Sequence, residues 1–135
     1  MTVVDASVAT AWFVSIGTSD RAAAIRLEPE ISAPAFLKVE LTSSLLKYLR
    51  AGVLPKQSIR QAVDEIGFLI QNWLPDDELL PAATDIAISQ NHKIYDCLYL
   101  ALARDHGESL VTADRRMAAI ARQLAIEVEL IEPSV

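Results

Sequence analysis

Short apolar segments alternate along this chain with longer segments whose apolar residues recur at helical spacing. Val3-Val4 and Leu110-Val111 are short apolar runs within predicted strands, and each is followed by a segment with a period near that of a helix. The segment 35–51 is the clearest helix, with apolar positions at Leu37, Leu41 and Leu45. The chain is therefore predicted to alternate between strands and helices.

Serine, proline and glycine residues mark where these elements begin and end. Ser7 can cap the first helix, Pro55 and Pro81 can each begin one, and Gly52 and Gly107 can each end one. The predicted strands are residues 3–4, 30–33, 78–80, 109–112 and 127–131. The predicted helices are residues 7–14, 21–27, 35–51, 55–72, 81–90, 95–106 and 114–124.

Strands that alternate with helices predict an α/β fold, in which a mainly parallel sheet is covered by helices on both faces. The length of 135 residues fits one domain, and no linker, repeat or low-complexity segment divides the sequence, so a single domain over residues 1–135 is predicted. In such sheets the ligand site lies beyond the C-terminal ends of the strands, where the strand order reverses. Reactive residues are therefore sought at those ends.

The composition narrows the class of protein. Of the residues 52% are apolar, yet no apolar run approaches the roughly 18 residues of a membrane-spanning helix, and the N-terminus has no secretory-signal pattern. Cys97 is the one cysteine, which excludes an internal disulfide and fits a reducing cytoplasm. The net charge of -6 argues against a protein that holds nucleic acid by bulk electrostatics. Local cations still allow weak, transient contact with one or two phosphates, and these are Lys47, Arg50, Arg115 and Arg116.

Four acidic residues lie where a parallel sheet brings reactive groups together. Asp5 ends the first predicted strand and Asp114 follows the fourth by two residues, so both lie at one edge of the sheet if those strands are neighbours. Glu40 lies at the border of the apolar face of the third predicted helix. Asp96 is the lone acid in the apolar start of the sixth predicted helix, where an unpaired buried charge is expensive.

Carboxylates crowded in this way repel one another and retain protons unless a positive group intervenes. Oxygen-only ligands favour hard ions such as Mg²⁺ or Mn²⁺, and two such ions roughly 4 Å apart can activate water and stabilise the leaving oxygen of a phosphodiester. The four acids together therefore indicate metal-dependent hydrolysis. Taken singly, each has a structural explanation that stays open. Asp96 would favour the helix dipole and Asp114 would cap a helix. Asp5 would shape a turn and Glu40 would be solvated.

Other polar residues are interpreted as structural. His92 and His106 lack a second nitrogen or sulfur ligand at suitable spacing, and Cys97 lacks a histidine one turn away. The three consecutive acids at residues 76–78 are predicted to form a solvated loop. Arg115 and Arg116 follow Asp114 directly. They could contact a phosphate or could simply form the solvated face of a helix, and both interpretations stay open.

Four segments combine into a pattern typical of one family. The first two are Val-Val-Asp-Ala-Ser at 3–7 and Pro-Ala-Phe-Leu-Lys-Val-Glu at 34–40. The others are Tyr-Asp-Cys-Leu-Tyr-Leu-Ala-Leu-Ala at 95–103 and Leu-Val-Thr-Ala-Asp-Arg-Arg at 110–116. In their order and spacing they resemble PIN-domain proteins, most closely the VapC-type toxin ribonucleases of bacterial toxin–antitoxin pairs. The resemblance spans nearly the whole chain.

This resemblance implies a three-layer fold whose five-stranded sheet has the order 3-2-1-4-5, which makes the first and fourth strands neighbours. The residues that would hold the metal are Asp5, Glu40, Asp96 and Asp114. Ser7 and Thr112 would support the site through hydrogen bonds, with capping of the following helix as the alternative for both. The implied activity is Mg²⁺- or Mn²⁺-dependent endonuclease cleavage of RNA. The implied partners are a small VapB-like antitoxin, whose tail covers the active-site groove, and a second copy of the chain.

Other interpretations fit the sequence less well or lie close to this family. A phosphorelay receiver domain would need an aspartate where Leu80-Pro81 stands and a lysine where Glu132-Pro133 stands. A phosphatase with an aspartate nucleophile would need a second aspartate at Ser7. A PIN-like nuclease of RNA maturation or decay, and a PIN-like binding module that no longer cleaves, both stay open.

Overall fold

Strands and helices alternate along residues 1–134, which the computed structural model describes; Val135, the last residue of the predicted domain, lies outside the described residues. The strands are β1 (Thr2–Val4), β2 (Ile31–Pro34), β3 (Asn72–Leu74), β4 (Ser109–Thr112) and β5 (Val128–Leu130). The helices are α1 (Ala6–Phe13), α2 (Ser19–Ile25), α3 (Leu37–Arg50), α4 (Lys56–Leu69), α5 (Asp76–Gln90), α6 (Ile94–His106) and α7 (Arg115–Gln123).

The strands form a parallel sheet in the order β3-β2-β1-β4-β5. The predicted α/β fold and strand order are therefore confirmed. Val3 of β1 lies opposite Ser32 of β2 on one side and Leu110 of β4 on the other. Because the order reverses at β1, the C-terminal ends of β1 and β4 lie side by side, and a crevice is expected beyond them.

Helices cover both faces of this sheet, as a parallel sheet requires. α1 packs against α2 and α3, and α3 packs against α4, whereas α5 packs against α6. Right-handed crossovers place the helices between β1 and β3 on one face and those between β3 and β5 on the other. α6 lies against β1, β2 and β4, and residues 96–103 are buried without interruption, so this helix carries Asp96 into the interior. None of the helices among residues 1–134 is long and apolar enough to cross a membrane.

The third strand and the helix after it differ from the sequence prediction. The strand predicted at residues 78–80 is wrong, because these residues lie inside α5 and the third strand is 72–74. Pro81 does not begin a helix but lies in the second turn of α5. Because proline has no N–H, it cannot donate to the carbonyl of Asp77, but Asp77 is exposed and water can take the place of that donor.

The loop predicted at residues 76–78 is also wrong. These three acids form the first turn of α5, where negative charge is favoured by the helix dipole. The Asp76 carboxylate also accepts a hydrogen bond of 3.0 Å from the backbone N–H of Phe36. This contact joins the start of α5 to the turn that leads into α3.

The helix ends predicted at two glycines are confirmed. Gly107 closes α6 in the left-handed region, with φ of 63°, and its N–H donates to the carbonyls of Ala103 and Arg104. Gly52, with φ of 75°, lies one residue beyond the C-cap of α3. A side chain at either position would be strained, which explains why glycine stands there.

Candidate metal centre

Asp5 occupies the junction between β1 and β4. Val4 pairs with Val111, so the residue after β1 meets the last residue of β4, Thr112. The Asp5 side chain is buried, with 3% exposure, and both of its oxygens accept hydrogen bonds. Ser7 Oγ donates to Asp5 Oδ1 at 2.5 Å, and the Val8 N–H donates to the same oxygen at 3.2 Å. Thr112 Oγ1 donates to Asp5 Oδ2.

The Ser7 and Thr112 hydroxyls also bind the turn that follows β4. Ser7 Oγ accepts from the Ala113 N–H at 2.9 Å, and Thr112 Oγ1 accepts from the Asp114 N–H at 3.0 Å. Neither hydroxyl caps the helix after it, because the N-cap of α1 is Asp5 and the N-cap of α7 is Asp114. The two hydroxyls therefore fix the ends of β1 and β4 to each other.

Asp114 caps α7 with one of its two carboxylate oxygens. Oδ1 accepts from the backbone N–H of Arg116 at 2.8 Å and of Met117 at 3.2 Å. The capping explanation considered for this residue is thus realised. It is compatible with a second role, because Oδ2 has no hydrogen-bond partner among residues 1–134.

Glu40 lies in the first turn of α3, half-buried, and is held from the opposite face of the site by Tyr99 of α6. The Tyr99 hydroxyl donates to Glu40 Oε1 at 2.6 Å, and the tyrosine side chain is fully buried. Tyr99 was not among the residues predicted for this site. A signal was present, since a tyrosine within a buried aliphatic run needs a partner for its hydroxyl.

Asp96 is buried at the start of α6 and is held by a histidine. His92 Nε2 lies 2.7 Å from Asp96 Oδ2, and Lys93 Nζ lies 3.7 Å from the same oxygen. His92 was predicted to be structural, without this contact to Asp96. The two residues are four apart, which is the spacing of neighbours on one helical face, although His92 itself precedes the helix.

The charges of three of these acids act on one another. Burial and, to a smaller extent, the Glu40 charge raise the pKa of Asp5 from its ordinary 3.8 to about 6, against the hydrogen bonds from Ser7, Thr112 and Val8, which lower it. Burial also raises the pKa of Glu40, and the Asp96 charge adds to the effect. Burial raises the pKa of Tyr99 well above its ordinary range, and the charges of the same three acids contribute.

Two hollows are lined by three of the four acids. One, of about 600 Å³, is lined by Ser7 and Glu40 and extends along α3 to Lys47. The other, of about 330 Å³, is lined by Asp96 and Asp114 together with neighbouring cations. Glu40, Asp96 and Asp114 therefore border open space, whereas Asp5 is buried next to Ser7, which lines the first hollow.

The residues fit a hard divalent cation by the chemistry of their donors. All four acids offer carboxylate oxygens. The Glu40 charge raises the pKa of Asp5, and the Asp96 charge raises the pKa of Glu40. A cation would relieve this repulsion. No group of three or more His, Cys, Asp or Glu side chains within residues 1–134 already stands as a ligand cluster. Mg²⁺ does not require one, because it keeps several waters and commonly takes only one or two carboxylates.

The two arginines proposed for substrate contact differ in their surroundings. Arg116 is exposed and lines the hollow that contains Asp96 and Asp114. Arg115 points its guanidinium toward Glu132, with a distance of 3.8 Å between Nη2 and Oε1. Of the two, only Arg116 lies beside the acids.

The chain is similar in sequence and in fold to several known proteins. The family model of the PIN domain matches residues 2–123. Ribonuclease VapC1 of Mycobacterium tuberculosis (strain CDC 1551 / Oshkosh) is 32% identical over 130 residues, which are 96% of this chain and 96% of that protein. Ribonuclease VapC3 of Pyrobaculum aerophilum is 29% identical over 119 residues, covering 86% of this chain and 91% of that protein. A chain of a toxin–antitoxin complex from Klebsiella pneumoniae shares the fold, with a TM-score of 0.63, 17% identity, and 88% and 91% of the two chains covered.

Proposed function

Because this chain belongs to the PIN-domain family, we propose that it is a divalent-metal-dependent endoribonuclease and the toxin of a toxin–antitoxin pair. The observation that supports the proposal is that Asp5 and Asp114 follow the neighbouring strands β1 and β4, while the charge of Glu40 acts on Asp5 and that of Asp96 acts on Glu40. Asp96 and Asp114 also line one hollow. The names of the two ribonuclease relatives support RNA as the substrate.

The residues proposed to hold Mg²⁺ or Mn²⁺ are Asp5, Glu40, Asp96 and Asp114. The cation, when bound, supplies an activated water and charge stabilisation at the phosphodiester. The chain's own contribution is to fix the carboxylates before substrate arrives. Ser7 and Thr112 position Asp5 through their hydroxyls, and Tyr99 positions Glu40. Such pre-orientation lowers the cost of assembling the site.

The RNA strand is proposed to cross the site between exposed cations on either side. Lys47 lies at the far end of the hollow beside Glu40, and Lys93 and Arg116 line the hollow beside Asp96. The remainder of the chain is acidic, with a net charge of -6, so these contacts would be few. Weak binding with a shallow salt dependence, about 0.7 in the slope of log K against log salt for each contact, follows from this arrangement.

The proposed partners are a VapB-like antitoxin and a second copy of the chain. The fold shared with a chain of a toxin–antitoxin complex supports the first. Expression of the chain alone in a bacterium should then arrest growth, and co-expression with the small protein encoded beside it should relieve the arrest. Growth that is unaffected by expression of folded protein would favour the role in RNA maturation or decay.

Cleavage of a mixed cellular RNA pool tests the proposed activity. Purified protein free of any partner is incubated with Mg²⁺ or Mn²⁺, with a chelator, and as the Asp5→Ala variant. Cleavage is expected only with metal and with Asp5 present. A folded wild-type protein that binds metal but leaves every RNA in the pool intact would contradict the endoribonuclease assignment and favour a binding module.

A further inference from the structure

The contact between His92 and Asp96 is more enclosed than a surface ion pair. The distance between His92 Nε2 and Asp96 Oδ2 is 2.7 Å, and the two side chains are 4% and 6% exposed. A buried, charge-assisted hydrogen bond of this length holds its partners in one orientation. The contact therefore fixes where the Asp96 carboxylate stands.

The turn between α5 and α6 places His92 independently of its imidazole. Asn91 ends α5 in the left-handed region, with φ of 50° and ψ of 50°, and its N–H donates to the Ala87 carbonyl. The His92 N–H donates to the same carbonyl at 3.2 Å. His92 is thus held at the end of one helix while its side chain reaches the first turn of the next.

The direction of the hydrogen bond follows from its chemistry. An ionised carboxylate only accepts, so Nε2 carries the proton. The second contact to Asp96 Oδ2 comes from Lys93 Nζ at 3.7 Å, and that side chain is 60% exposed, so the bond from His92 is the shorter and better shielded. Oδ1 of Asp96 has no hydrogen-bond partner among residues 1–134 and is left for another ligand.

We propose that His92 is a positioning residue of the metal site: it holds Asp96 by donating from Nε2 and so strengthens cation binding without ligating the cation. This inference rests on the proposed function. His92 also lines the hollow that contains Asp96 and Asp114, so its contact lies directly beside the space that the cation would use. Loss of such an outer partner typically weakens metal binding by about 10-fold to 100-fold.

Three variants and two metals test the proposal by calorimetric titration. His92→Leu removes the hydrogen-bond donor. His92→Gln keeps an amide N–H whose nitrogen is as many bonds from Cβ as Nε2 is in histidine. His106→Leu removes the other histidine, which is exposed, and serves as the control. His92→Leu is expected to weaken Mg²⁺ and Mn²⁺ binding alike, by about 10-fold. His92→Gln should recover most of that loss, and His106→Leu should bind as wild type.

A direct ligand role for His92 gives a different result. Imidazole suits Mn²⁺ far better than Mg²⁺, so a ligand would lose Mn²⁺ affinity preferentially, and glutamine would not restore it. Nitrogen NMR of the wild-type protein separates the two without a variant. The Nε2–H of His92 should persist when Mg²⁺ is added, and its disappearance would overturn the positioning role.

The remaining outcomes are also decisive. His92→Leu that binds both metals as tightly as wild type would overturn the inference while leaving the proposed function intact. Wild-type protein that binds neither metal would overturn both. A stability difference alone, seen in urea unfolding with chelator and without any change in metal affinity, would show that the contact serves only the fold.

Discussion

The buried carboxylate of Asp5 should make the metal-free protein less stable than it would be with a neutral side chain. Its pKa is raised from 3.8 to about 6, chiefly by burial. The native state therefore holds the proton more tightly than the unfolded state does. This difference stabilises the protonated protein below about pH 4 and is lost as the pH rises through about 6.

The size of this effect follows from the two pKa values. The difference between 3.8 and about 6 corresponds to about 3 kcal/mol at neutral pH. In Asp5→Asn the amide oxygen can keep the bonds from Ser7 and Val8, while the amide nitrogen faces Thr112 and forces its hydroxyl to accept. A cost of about 1 kcal/mol for that mismatch leaves a net gain of about 2 kcal/mol. The midpoint of thermal unfolding should rise by about 6 °C.

Urea unfolding with chelator measures this prediction. At about pH 7.5 Asp5→Asn should be more stable than wild type, and at about pH 4 the difference should shrink below about 1 kcal/mol. Asp85→Asn, an exposed aspartate on α5, serves as the control and should change little at either pH. Adding Mg²⁺ should stabilise wild type more than Asp5→Asn. An Asp5→Asn protein that is equally or less stable at neutral pH, or a gain that does not depend on pH, would refute the reasoning.

Two further pairs of variants test individual contacts. Tyr99→Phe removes the hydroxyl that donates to Glu40, so the free energy of unfolding in urea should fall by about 1–3 kcal/mol. Tyr95→Phe changes an exposed ring on the same helix and should leave the free energy of unfolding almost unchanged. Equal losses in the two variants would contradict the importance of the contact with Glu40. Arg116→Gln should reduce the salt dependence of single-stranded RNA binding and lower the slope of log K against log salt by about 0.7. Arg115→Gln should leave that slope unchanged, because Arg115 is directed toward Glu132. Fluorescence anisotropy measures both slopes, and the opposite ranking would mean that the RNA binds elsewhere.

Much of the fold could be predicted because local patterns and tertiary packing agree. The buried strand at 109–112 and the helix ending at Gly107 follow from apolar runs and a left-handed glycine. The failure at β3 has a physical cause. Residues 72–74 form a three-residue, half-buried edge strand that directly follows a helix, so no apolar run marks it. Pro75 and the acids after it look like a break in the chain, yet they begin α5.

The four acids of the candidate site could be proposed from the sequence, and the family resemblance indicated Ser7 and Thr112 as their supports. The contacts from Tyr99 and His92 could not be predicted. Asp5 follows a strand, which is a local property, and so its place at the sheet edge was predictable. The hydroxyl of Thr112 meets Asp5 only because β1 and β4 become neighbours, a contact 107 residues apart in sequence. The hydroxyl of Tyr99 reaches Glu40 across 59 residues. Contacts of this kind depend on the assembled fold, which a local pattern does not contain.

The central claim, that four carboxylates form one metal site, is tested most directly by Mn²⁺ binding, followed by electron paramagnetic resonance. Wild type is compared with one neutral variant of each acid: Asp5→Asn, Glu40→Gln, Asp96→Asn and Asp114→Asn. The control is again Asp85→Asn. Each of the four variants is expected to bind Mn²⁺ more weakly than wild type, and the control is expected to bind equally. Two or more of the four binding Mn²⁺ as tightly as wild type would contradict a single shared site.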